Sequence, residues 1–327
     1  MQKAITDGGI IDAPDCRYGI SRCEPACTES TEHDHGGRDF MTEAWPVPAG
    51  RLTLAEIREH PALGPLDRIP DRYRGPRQVT GDGWVNFAGR LERGEEIALV
   101  RSLTAVNSRV LDVGGGSGEL ARAVAEQIGQ CTAVEPHRQL VESMHEERDG
   151  TGSVSVFPGS AEQLPFSSGS FDAVYCAWVL PYVSDIREAT EEMIRVCDPD
   201  NPEAKIVLIS GGSGNELLCL LNEICVPVAE EPYDHHGYLL RTAAQVLDEH
   251  GFSDFSLYRT ESSIRFDERE PDERAATAAA VLTDFWYEQH PKAADIRAAL
   301  EPALSRHFSC RPHAIGDQAA ILVARPA

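Results

Sequence analysis

Between about residues 105 and 212 the chain switches repeatedly between two hydrophobic periods. Arg109–Val113 reads as a short strand buried on both faces. Glu119–Ile128 then puts Leu120, Val124, Ala125 and Ile128 on one helical face. The alternation continues with a strand at Cys131–Val134, a helix at His137–Glu146 and a strand at Val154–Phe157. After a loop come a strand that starts beside Asp172 and runs to Trp178, a helix at Asp185–Val196 and a strand at Lys205–Ser210. Strands separated by helices predict an α/β fold, a mostly parallel sheet covered on both faces.

The flanks are patterned differently. Residues 1–40 are rich in Asp, Glu, Gly, Ser and Thr, show little periodicity, and read as a disordered tail. Residues 41–104 read as an N-terminal helical cap, in pieces broken by Pro61, Pro65, Pro70, Gly75 and Pro76. Gly81–Arg90 reads as a flexible loop, in which Trp84 and Phe87 suit either ligand stacking or simple burial. Beyond the alternating region, Glu216–Val228 is apolar and fits a lid helix, the face of a homodimer, or core. A helix is predicted at Thr242–His250, a strand near Phe255–Thr260, helices over Pro271–Phe308 and a last strand at Ala319–Ala324.

Composition narrows the partners. The 327 residues carry 30 Lys and Arg against 53 Asp and Glu, a formal net charge of −23. Such a surface repels phosphate backbones and anionic membranes, which leaves a small molecule as the expected ligand, with no nucleic acid and no membrane. No apolar run is long enough to span a bilayer. The nine cysteines are scattered, mostly in apolar runs, as reduced buried thiols in a cytoplasmic protein would be. Cys16, Cys23, Cys27, His33 and His35 lie in the tail at spacings that do not form a zinc pattern, so no metal is expected.

The chemistry starts at Val110–Leu120, where a strand ends in Asp112 and glycines follow at 114, 116 and 118 before a helix. Glycines there let backbone approach a small ligand closely. The dinucleotide pattern G-x-G-x-x-G fails, because its third glycine would fall on Glu119. Glu135 ends the second strand, 23 residues after Asp112, where a βαβ unit places the carboxylate that accepts from ribose hydroxyls.

The D-x-G-x-G-x-G run resembles motif I of the class I S-adenosylmethionine-dependent methyltransferases. The stretches Gly159–Phe166 and Ser170–Val174, and the helix ending Met193-Ile194-Arg195-Val196, extend the likeness to the small-molecule branch of that family. The resemblance implies a Rossmann-like, seven-stranded sheet over residues 105–327, with its last strand antiparallel between strands five and six. It implies S-adenosylmethionine as cofactor, held by Asp112, Gly114, Gly116, Gly118, Glu135, Ser160, Ala161, Glu162, Ala177 and Trp178. It also implies that residues 41–104 form a lid, and that additions at 213–240 and 271–308 face the acceptor. Three departures concern the adenine and acceptor ends: Ser160 in place of an acid, Pro181-Tyr182 in place of histidine, and Asp198–Pro202 in place of a proline-glycine-glycine turn. Loops past the fifth strand reach the substrate in this family, which makes His235, His236 and Tyr238, with Tyr233, the candidates for base or anchor. The expected reaction is methylation of an oxygen or nitrogen atom of a small, specialised metabolite. The rival readings are a catalytically inactive binding module, a methyltransferase acting on a macromolecule, and a nicotinamide oxidoreductase.

Overall fold

The predicted alternation closes into one sheet of seven strands. The computed structural model describes residues 51–64, 73–77, 81–146 and 153–327; the expectations for residues 1–40 lie outside them. In chain order the elements begin with α1 (Leu54–Glu59), a 3-10 turn (Pro61–Leu63), α2 (Gly81–Ala88), β1 (Leu91–Glu92) and α3 (Gly94–Thr104). The alternating region follows: β2 (Val110–Val113), α4 (Glu119–Ile128), β3 (Gln130–Glu135), α5 (Arg138–Glu146), β4 (Ser153–Pro158), β5 (Ala173–Ala177), α6 (Ile186–Val196) and β6 (Lys205–Gly211). Next come α7 (Glu216–Leu220), a π turn (Leu221–Cys225), α8 (Val226–Ala229), α9 (His236–Glu249), β7 (Asp254–Thr260) and β8 (Ser263–Arg265). The chain ends with α10 (Pro271–Tyr287), α11 (Ala293–Cys310), β9 (Ala314–Gly316) and β10 (Ala319–Arg325).

The sheet order is β4-β3-β2-β5-β6-β10-β7. All pairs are parallel except those of β10, which runs antiparallel between β6 and β7. Each face has its own core. On one, Leu111, Val113 and Leu208 meet α6 and α9; on the other, Val110, Tyr175 and Ile209 meet α3, α4 and α5. This is the arrangement that period-2 side chains require of a sheet covered twice. A third core lies above the C-terminal strand ends and joins α7, the π turn and α8 to the α10–α11 hairpin. The apolar run 216–228 is therefore part of this core.

Three elements depart from the sequence expectation. Gly81–Ala88 is helix rather than loop, because Gly83 lets α2 press on the backbone of α10 and Phe87 stacks on Phe285 with ring centroids 3.9 Å apart. Packing of this kind overrides the poor helix propensity of its glycines. α9 begins six residues earlier than predicted, since the ring of His235 caps it by accepting the Tyr238 N–H at 2.9 Å. A small antiparallel sheet, β1-β8-β9, ties the cap to the α10–α11 insertion through strands too short to show a pattern. Among the described residues Cys131, Cys176, Cys197, Cys219 and Cys225 are free thiols, four of them buried.

Candidate active site

The loop between β2 and α4 is folded back on its neighbour strand. The amides of Gly114 and Gly115 both donate to the Val134 carbonyl, at 2.8 and 3.0 Å. Gly114 and Gly116 sit at φ 78° and 55°, where a side chain is strained, and a Cβ on Gly114 would collide with Val179. Above Gly116 stands the ring of Trp84, whose Cζ2 would lie 3.5 Å from a Cβ placed there. Gly118 has a different role: it stands off the cavity, and a Cβ there would press on Met144 and Arg122.

Glu135 is buried at the end of β3. One carboxylate oxygen accepts from the Gly116 amide at 3.0 Å; the other accepts from the His137 amide at 2.9 Å. The second oxygen also lies 2.7 Å from His137 Nδ1; a carboxylate has about four lone-pair sites, so these three contacts still leave room on the Gly116-bound oxygen for a ligand hydroxyl. Asp112 is also buried, and burial pushes its carboxyl up to about 7 against the opposing hydrogen bond from Tyr175. Burial likewise lifts Glu96 to about 7, with Trp178 Nε1 donating to it at 2.9 Å, and Asp317 to about 6. Trp178 itself takes φ 61°, an uncommon conformation for a bulky residue, and donates its amide to Ile209.

A cavity of about 1140 Å³ joins these groups to the third core. Asp112, Gly114, Gly116, Glu135, Ala177 and Trp178 all line it. Ser160, Ala161 and Glu162 do not: Ala161 is packed into the core under the sheet, and the Glu162 carboxylate accepts from the Ser184 amide at 2.7 Å. Of the four aromatic candidates past the fifth strand, His236 lines the cavity. His235 is a helix cap, Tyr238 packs beside the core, and Tyr233 stands off the lining.

Sequence reading missed the polar end of the cavity. Arg77 pairs with Asp234 in a buried contact, and Arg74 reaches Glu231 at 3.0 Å. Tyr287 donates to the same Glu231 at 3.0 Å. The π turn sets Asn222 to clamp Asp234, accepting from its amide at 2.7 Å and donating to its carbonyl at 2.9 Å. Arg74 and Arg77 lie in a Pro- and Gly-rich stretch without periodicity, so no pattern marks them. Among the described residues, no three of His, Cys, Asp and Glu gather as a metal site would need.

A family model described as a methyltransferase domain matches residues 111–201. YcgJ, an uncharacterised methyltransferase of Bacillus subtilis, is 33% identical over 111 residues, which cover 33% of this chain and 44% of YcgJ. The O-methyltransferase rstn1 of Aspergillus nomiae is 29% identical over 164 residues, 48% of this chain and 71% of that protein. The ubiquinone/menaquinone biosynthesis C-methyltransferase UbiE of Methylobacterium nodulans is 29% identical over 161 residues, 46% of this chain and 58% of that protein. The chain thus spans less than half of YcgJ and little more than half of UbiE. The crystal structure of YcgJ superimposes with a TM-score of 0.46 at 20% identity, over 71% of this chain and 99% of that one. The matched segment holds the glycine loop, Glu135 and strands β2 to β5, so this chain carries a class I S-adenosylmethionine-dependent methyltransferase domain.

Proposed function

We propose that the chain transfers the methyl group of S-adenosylmethionine to an oxygen or nitrogen atom of a small molecule of specialised metabolism. The observation that carries this reading is a continuous cavity that runs from the glycine loop into an aromatic and aliphatic chamber. Its volume of about 1140 Å³ exceeds what one drug-sized ligand commonly fills, about 300–1,000 Å³, so donor and acceptor have room side by side.

The residues present fit the donor. Gly114 and Gly116 bring bare backbone to the cavity wall, a Cβ on Gly116 would intrude beneath Trp84, and Glu135 offers acceptor capacity beside them. In this reading Glu135 takes the ribose hydroxyls, and Asp112 and the backbone at Ala177 and Trp178 hold the amino-acid end. Asp112 is poised near neutrality, so a nearby ammonium favours its ionised form. When bound, the sulfonium supplies a methyl group that is already activated. The chain's task is then orientation and exclusion of water. Trp84 covers the loop, and α2 is held shut on α10 by the Phe87–Phe285 stack. Leu217, Leu218 and Leu221 from the run 216–228 supply an apolar wall that suits an aromatic or apolar acceptor.

The net charge of −23 argues against a nucleic-acid acceptor. A carbon acceptor is the second reading, favoured by the likeness to UbiE. Incubating the protein and radiolabelled S-adenosylmethionine with metabolite extracts of the host tests the proposal. Label is expected in a low-molecular-weight product, on oxygen or nitrogen. Label on carbon supports the second reading, and label confined to RNA or protein overturns both.

A further inference from the structure

His236 opens α9 and forms part of the cavity wall, yet its ring is tied to the sheet. The Gly211 amide donates to His236 Nδ1 at 3.1 Å, and the Ser210 hydroxyl lies 3.1 Å from the same nitrogen. A backbone amide can only donate, so Nδ1 must present its lone pair and the ring's single hydrogen sits on Nε2. We infer that His236 meets the cavity as a fixed Nε2–H donor, an anchor for a lone pair on the acceptor, and that it does not take the acceptor's proton.

The surroundings give the same sign. In a working His–carboxylate dyad one nitrogen faces the acid and the other keeps a free lone pair for the incoming proton. Here Nε2 faces Asp234 Oδ1 at 3.9 Å, past hydrogen-bond length, and the lone pair of Nδ1 is already used by Gly211. Asp234 is kept ionised because Arg77, with Arg74 adding to it, offsets its burial. The other charged or titratable neighbours are Arg77, Arg74 and His235, each of which opposes a second positive charge on the ring. Trp178 meets the ring edge-on, and Leu218 closes on Gly211 from α7, so little water reaches it. Burial, only partly offset by Asp234, lowers the imidazolium to about 4. Protonation would cost both the Gly211 bond and the desolvation of a cation.

What faces this donor follows from its chemistry. A carbonyl, phenolic or ether oxygen, or a ring nitrogen with its lone pair free, satisfies Nε2–H; an ammonium or an apolar edge does not. Only this last step rests on the methyl-transfer reading, since the tautomer is a property of the chain alone.

Long-range proton–nitrogen correlation spectra of the full chain, labelled with nitrogen-15 in histidine, read the tautomer directly. The His236 signals are assigned by their loss in His236→Gln. If that variant does not fold, their displacement in Ser210→Ala assigns them. The expected result is a protonated Nε2 and a bare Nδ1, unchanged across about pH 5 to 8, the range in which an ordinary histidine titrates. A proton on Nδ1, or both nitrogens moving together with a midpoint between about 6 and 7, overturns the inference. Calorimetric titration of the same sample with S-adenosylmethionine keeps the two readings apart. Absence of binding beside the expected tautomer sinks methyl transfer alone, and binding beside a titrating His236 sinks this inference alone.

Discussion

Three residues define what the cavity can hold, and each makes its own prediction. Glu135 combines acceptor capacity with the bond that shapes Gly116. Hydrogen bonds to a charged group contribute about 1.5–3 kcal/mol, so Glu135→Ala should weaken S-adenosylmethionine binding about ten- to hundredfold by calorimetry. An unchanged affinity would remove Glu135 from the donor site. Gly114→Ala places a methyl group against Val179 at a φ of 78°, and should cost about 1–3 kcal/mol in denaturant titration. Asp317 gives a pH signature. Burial raises it from 3.8 to about 6 despite the hydrogen bond from Asn215 at 2.7 Å. Between those values the folded chain holds a proton that the unfolded chain has released, so this residue's contribution to stability declines as pH rises through the window. Asp317→Asn removes that dependence. Unfolding free energies of the variant relative to the parent should therefore rise from pH 4 to 6, and a flat difference would contradict the assignment.

At the level of elements, the cover over the glycine loop is α2 leaning on α10. Phe285 joins the two through its stack with Phe87, and Trp84 rides on the same helix. Truncating a buried Phe commonly costs about 3–5 kcal/mol, here concentrated on one helix pair. Phe285→Ala is expected to lower the melting temperature and also to weaken donor binding, because Trp84 loses its support. Normal affinity in a folded Phe285→Ala chain would show that the cover does not matter for the donor. The same elements mark the limit of what the sequence discloses. β2 to β6 and their helices were legible because each must bury a face and so carries a period. α2 was not, since Gly83 is there for contact with the backbone of Asp284, a residue some 200 positions away. Likewise Arg74, Arg77 and Tyr287 come together only through the tertiary fold, and the donor loop was readable because its glycines answer a local backbone need. Ser160, Ala161 and Glu162 mark the converse case. Ala161 and Glu162 satisfy a family pattern from which Ser160 departs, yet the chain turns Ala161 inward and ties Glu162 to Ser184, and all three stand apart from the cavity.

For the whole molecule, charge and cavity together set the expected behaviour. With a net charge of −23, repulsion among carboxylates opposes compaction, and added salt should raise the denaturation midpoint over the range where the Debye length falls from about 30 to 10 Å. A midpoint that falls with salt would point instead to dominant surface ion pairs. The −23 charge also leaves a small, uncharged or locally cationic acceptor with the least barrier to approach. The central claim, that the glycine loop and Glu135 form a methyl-donor site, is tested most directly by calorimetric titration of the folded chain with S-adenosylmethionine and, in parallel, with NAD. Saturable binding of one equivalent of S-adenosylmethionine, lost in Glu135→Ala, with no heat from NAD, is the predicted result. A folded chain that binds NAD, or that binds neither, would contradict it.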